Sequence, residues 1–135
     1  MTIDRILRKL GKDALDAVAN IESPIEKLGK YLEHANQAVG PKFKVYLQSL
    51  GNNNKSKEMI DFHENYITSY TKELLDAAVK NKEIKKIDTQ AFALLLGGIG
   101  REFAKETNIK KLSDSPEKSA NSITKIILTG IRLGN

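Results

Sequence analysis

Cysteine is absent from this chain of 135 residues. Its absence removes disulfides, thiolate metal sites and thiol nucleophiles. Histidine is nearly as scarce: there are two, His34 and His63, and neither has a second histidine at helical spacing. Zinc requires at least three convergent protein donors, so no metal site is legible. His63-Glu64 also lacks the repeated histidine of a metalloprotease helix. Both histidines read as surface or core-edge residues, with His63 able to offer a hydrogen bond to a pocket.

Long hydrophobic runs are lacking too. Arg101, Lys105 and Glu106 end the longest one well short of a membrane span. The N-terminus has no continuous apolar core of the secretory type. The expectation is a cytoplasmic protein with no membrane partner. Alternation at period two is weak throughout, so no strand is predicted. No glycine-rich loop joins a strand to a helix, and no carboxylate pair has diagnostic spacing. The run Gly97-Gly98-Ile99-Gly100 sits inside an apolar helical pattern and is no phosphate loop. Glu102 and Glu106 read as a solvated helix end. The sequence therefore points away from an enzyme and implies no cofactor.

What is present describes one all-α domain. Hydrophobic residues make up 40% and charged residues 29%, the balance of a soluble globular protein. The length suffices to bury about two-thirds of the unfolded surface. Net charge is +5, but the basic residues are scattered. Only Arg5, Arg8, Lys9 and Lys12 form a stripe at helical spacing, either the wet face of an amphipathic helix or a direct nucleic-acid contact.

Six helices are expected. Thr2 caps a first helix running to about Asn20, with Ile3, Ile6, Leu7, Leu10, Ala14, Leu15 and Val18 as its apolar positions. Ser23-Pro24 gives a cap followed by proline at the first helical position, and Glu26 completes a capping box. That helix continues through Val39 to Gly40-Pro41. A short helix over 42–50 presents Phe43, Tyr46, Leu47 and Leu50, and the glycine–asparagine run 51–54 is a loop. Ser56 caps the longest helix, 57–81, with a stripe of Met59, Phe62, Tyr66, Tyr70, Leu74 and Ala77/Ala78, and Ile67 alongside. A polar turn over 82–87 leads to Asp88, cap of a helix over 88–108. Ser115-Pro116 starts the last one, over 115–133.

Those last two segments carry small residues within apolar runs. Gly97, Gly98 and Gly100 fall in one, and Ser119, Ala120, Ser122 and Gly130 in the other. A glycine inside a helix costs roughly 1 kcal/mol relative to alanine, so close backbone approach by another helix is expected there. The apolar surface exceeds one buried face, which suggests a helix–helix surface shared between subunits.

From Ser23 onward this order of helices resembles the C-terminal regulatory domain of TetR-type transcriptional repressors. The segments that carry the resemblance are SPIEKLGKYLEHA, LLDAAVKNKEIKKIDTQAFALLLGGIGREF and the ending ITKIILTGIRLGN. These are patterns of residue type, and residues 1–21 correspond to a connector helix before a core over 23–135. The family's N-terminal helix-turn-helix has no counterpart here, because the single helix before Ser23 cannot supply three. The chain thus looks like the regulatory part of a longer repressor, a natural short protein being the alternative.

The resemblance implies a homodimer, in which the last two helices pack on the same pair of a partner as a four-helix contact. Leu94, Gly97, Gly98, Gly100, Arg101, Ile123, Ile127, Gly130 and Ile131 would supply that interface. It also implies a pocket for a small apolar or aromatic effector among the middle helices. Tyr31, Phe62, His63, Tyr66, Tyr70, Phe92, Leu95 and Phe103 would line it, with Phe43 and Tyr46. DNA would be met only through the missing reader domain. The alternatives are a helical dimerisation or adaptor module without a ligand, and a basic protein binding nucleic acid through the Arg5–Arg8–Lys9–Lys12 stripe.

Overall fold

The computed structural model describes residues 3–39 and 54–134. The Thr2 cap, the Gly40-Pro41 stop, the helix over 42–50 and most of the loop after it lie outside the described residues. Within them the chain is all-α: α1 (Ile3–Val18), α2 (Pro24–Ala35), a 3-10 turn (Asn36–Val39), α3 (Asn54–Lys80), α4 (Thr89–Phe103), the single turn α5 (Glu106–Ile109) and α6 (Pro116–Ile131). The only β pairing among the described residues is an isolated bridge between Ile84 and Arg132.

Three helix starts follow from capping chemistry. Ser23 Oγ accepts from the Glu26 N–H at 3.3 Å, Asp88 Oδ1 from the Ala91 N–H at 3.1 Å, and Ser115 Oγ from the Lys118 N–H at 3.2 Å. Pro24 and Pro116 occupy first-turn positions where a missing N–H is harmless. The expected reach of Glu26 back to the Ser23 N–H is not among the bonds formed by the described residues, and Glu83 supplies a different cap. Glu83 accepts the Ser23 hydroxyl at 2.5 Å and the Ile25 N–H at 3.2 Å, while Glu26 binds Arg132 at 2.5 Å.

Several boundaries differ from expectation for identifiable reasons. Helix α2 stops at Ala35 and tightens into a 3-10 turn, where buried Asn36 donates its amide to Asn121 Oδ1 at 2.9 Å and Thr124 Oγ1 at 3.4 Å. Helix α3 begins at Asn54, so Ser56 lies inside its first turn rather than before it. The helix expected over 88–108 breaks after Phe103. There the Asn108 side chain donates to the Glu102 carbonyl at 2.8 Å, a local bond that competes with helix continuation. The segment 82–87 is a turn but not a wholly polar one, because Ile84 is buried in the core.

The core forms where α2, α3, α4 and α6 converge, around Leu28, Tyr31, Leu32, Leu75, Ala78, Ala93, Leu96, Ala120 and Leu128. Helices α3 and α4 pack along each other, α1 lies across α2 and α3, and α6 closes the far side against α2 and α4. The C-terminus is stitched to the turn after α3 by Lys85 N–H to the Ile131 carbonyl (2.7 Å) and Leu133 N–H to the Glu83 carbonyl (3.0 Å).

Candidate functional site: an apolar cavity with a buried histidine

A cavity of about 270 Å³ opens where α1, α2, α3 and α4 meet. Leu7 comes from α1, Leu32 and Ala35 from α2, Ile60, His63, Glu64 and Ile67 from α3, and Leu96, Gly97, Gly100 and Arg101 from α4. Asn36, Ala104 and Lys105 complete the wall. Half of the lining residues are aliphatic because α3 and α4 turn Ile and Leu positions inward here, while the glycines keep the α4 side open.

Polar groups are few and mostly committed. Arg101 Nη1 donates to Asp61 Oδ1 at 2.6 Å and to Glu64 Oε2 at 2.7 Å, setting an ion cluster at the edge. Lys105 Nζ binds Glu102 Oε2 at 2.8 Å. The amide of Asn36 is turned to α6. His63 Nε2 is different: it is buried and has no hydrogen-bond partner among the described residues. Burial lowers the His63 imidazole below its ordinary value, so the ring is neutral at neutral pH.

Among the described residues expected to line a pocket, His63 alone lines this cavity. Phe62 and Tyr66 instead face a groove of about 690 Å³ between α1 and α3, which His63 and Leu7 also border. Phe62 is 75% exposed. Tyr31 and Tyr70 belong to the packing: Tyr31 is 1% exposed and meets Tyr70 edge-on, centroids 4.6 Å apart at 76°. Tyr70 in turn stacks near Tyr66 at 6.3 Å. Burial pushes the Tyr31 phenol well above its usual range, with Tyr66 and Tyr70 adding to the effect. Phe92 and Phe103 pack half-buried against the core, and Leu95 is exposed. Phe43 and Tyr46 lie outside the described residues.

The expected interface residues divide similarly. Leu94 is 60% exposed, and Ile123 is exposed on α6 beside Ile126, which is 69% exposed. Ile127 is half-buried and Ile131 buried in the core. A Cβ on Gly97 would collide with Thr68 Oγ1 and lie 3.2 Å from Cα and Cβ of Thr68, so the close backbone approach there runs between α4 and α3 of one chain. A Cβ on Gly98 would make ordinary contact with Glu64 Oε1 at 3.7 Å, and one on Gly130 would meet nothing within 4 Å. Gly100 and Arg101 line the cavity.

On α1, Arg5, Arg8, Lys9 and Lys12 are all exposed, with Lys9 paired to Asp13 at 3.0 Å. No group of three or more potential metal-ligating side chains occurs among the described residues, and no helix there is long and apolar enough to cross a membrane. Comparison with protein-family models, curated proteins and solved structures gives no match.

Proposed function

We propose that this chain is the ligand-sensing and dimerisation domain of a TetR-like transcriptional regulator. In this reading the effector is a small apolar or aromatic molecule held in the cavity bounded by α1 to α4. DNA is reached through a helix-turn-helix reader outside these 135 residues, and α1 corresponds to the connector leading to it. The observation that carries the proposal is the cavity itself, walled by Leu7 of α1 and by the middle helices. A molecule seated there touches the element that would transmit its presence. It shifts the reader only if it binds one arrangement of α1 more tightly than the other.

A dimerisation module without a small ligand is the second reading. Leu94 and Leu95 on α4 and Ile123 and Ile126 on α6 favour it, since these apolar side chains stand in solvent on two packed helices. Both readings expect a homodimer, and ligand binding separates them. Light scattering is expected to return twice the 15.0 kDa chain mass. A thermal-shift screen of apolar aromatic compounds is expected to raise the melting temperature with some members. A dimer that no compound stabilises favours the second reading, and a 15.0 kDa particle removes the dimer from both.

A further inference from the structure

We infer that the cavity is built for an uncharged, largely apolar alcohol or phenol whose hydroxyl meets Nε2 of His63, an inference that rests on the cavity being an effector site. Size comes first. A cavity of about 150 Å³ lined by Leu, Ile and Phe side chains takes up benzene, and this one, at about 270 Å³, has room for two fused rings.

Charge then narrows the class. The guanidinium of Arg101 is already shared by Asp61 and Glu64, and Lys105 is held by Glu102. An anionic ligand would enter beside three carboxylates, Asp61, Glu64 and Glu102, that already outnumber the two cations they hold. A cationic ligand would find Asp61 and Glu64 already paired to Arg101, and deeper in it would be desolvated against a neutral imidazole with no free carboxylate. An uncharged ligand meets neither obstacle.

The polar partner is set by what the wall leaves open. His63 Nε2 is the buried polar side-chain atom of this lining without a partner among the described residues. Burying such a group unpaired is unfavourable, and a ligand that pairs it relieves that penalty. A neutral imidazole nitrogen either donates or accepts according to its tautomer, and a hydroxyl serves both cases. An ether or a hydrocarbon does not.

Three matched probes test this by equilibrium dialysis at neutral pH: 2-naphthol, naphthalene and 2-naphthoate. Wild-type protein is expected to bind 2-naphthol roughly fivefold or more tightly than naphthalene, the worth of one neutral hydrogen bond, and 2-naphthoate most weakly. In His63→Phe the preference for 2-naphthol over naphthalene disappears while naphthalene binding persists. Equal binding of 2-naphthol and naphthalene by wild type, a preference surviving in His63→Phe, or tightest binding of 2-naphthoate overturns the inference and leaves the effector cavity standing. No binding of any probe removes the cavity as an effector site, and this inference with it. Should the variant fail to fold, the ¹⁵N resonance of His63 Nε2 in wild type decides. A shift of hydrogen-bond size with 2-naphthol and not with naphthalene supports the inference, and an unmoved resonance overturns it.

Discussion

Protonating His63 would place a cation in a wall that also holds Leu7, Ile60 and Ile67. Its folded-state pKa is therefore lowered below the ordinary 6.5. Between that lowered value and 6.5 the unfolded chain binds more protons than the folded one, so stability falls as pH drops through this window. Above 6.5 the contribution is constant. Melting curves taken from about pH 7.5 down to about pH 5.5 are expected to show a loss of stability that His63→Phe lacks. Parallel curves for the two proteins would contradict the assignment. At Gly97 the neighbour is Thr68, and an added methyl collides with its Oγ1 and presses on its Cα and Cβ at 3.2 Å. Overpacking of this kind costs about 1–3 kcal/mol, against a helix-propensity gain of about 1 kcal/mol. Gly97→Ala should thus destabilise by about 1 kcal/mol in a denaturant titration, and a stabilised variant would mean that α3 and α4 are not in close contact there. The site was only partly legible at this scale. One residue along a helix turns the side chain by 100°, and aromatic residues drew the expected stripe of α3 to Phe62 and Tyr66. The α3 part of the cavity wall is Ile60, His63, Glu64 and Ile67, of which the two isoleucines are indistinguishable in sequence from ordinary core.

Helix ends are where local sequence and structure agree most closely. Ser23-Pro24, Asp88 and Ser115-Pro116 each make the bond that their residue type offers. Endings that depend on distant partners were illegible: Asn36 is turned by α6, and Glu83 caps α2 from nearly sixty residues away in sequence. The end of α3 shows another such compromise. Lys82 adopts φ +59°, and the bonds from Lys82 N–H to the Val79 carbonyl (3.0 Å) and Glu83 N–H to the Ala78 carbonyl (2.9 Å) form a Schellman cap. That position favours glycine, because a Cβ in the left-handed region costs about 1–2 kcal/mol. Lys82→Gly is expected to raise stability by about 0.5–1 kcal/mol, after allowing for glycine's greater freedom in the unfolded chain. A lower melting temperature in the variant would show that the lysine side chain contributes more than its backbone strain takes away.

At the scale of the whole molecule, the α-helical class and most helix positions were legible from periodicity and caps, since each helix has an apolar stripe. On α6 that stripe is Ala120, Thr124, Leu128 and Ile131, spaced four, four and three apart. The outward residues of α4 and α6 have no such role inside the chain. If they meet a second copy as proposed, Ile126→Glu places a charge in the contact and should yield a 15.0 kDa particle with unchanged helical circular dichroism. Retention of the doubled mass would locate the dimer contact elsewhere. The central claim concerns the hollow bounded by α1 to α4, and amide mapping tests it most directly. When 2-naphthol is added to ¹⁵N-labelled chain, the largest shifts are predicted at Leu7, Leu32, Ile60, Leu96 and Ala104. Shifts confined to Gly11, Met59, Phe62 and Tyr66 in the outer groove, or none at all, would contradict it.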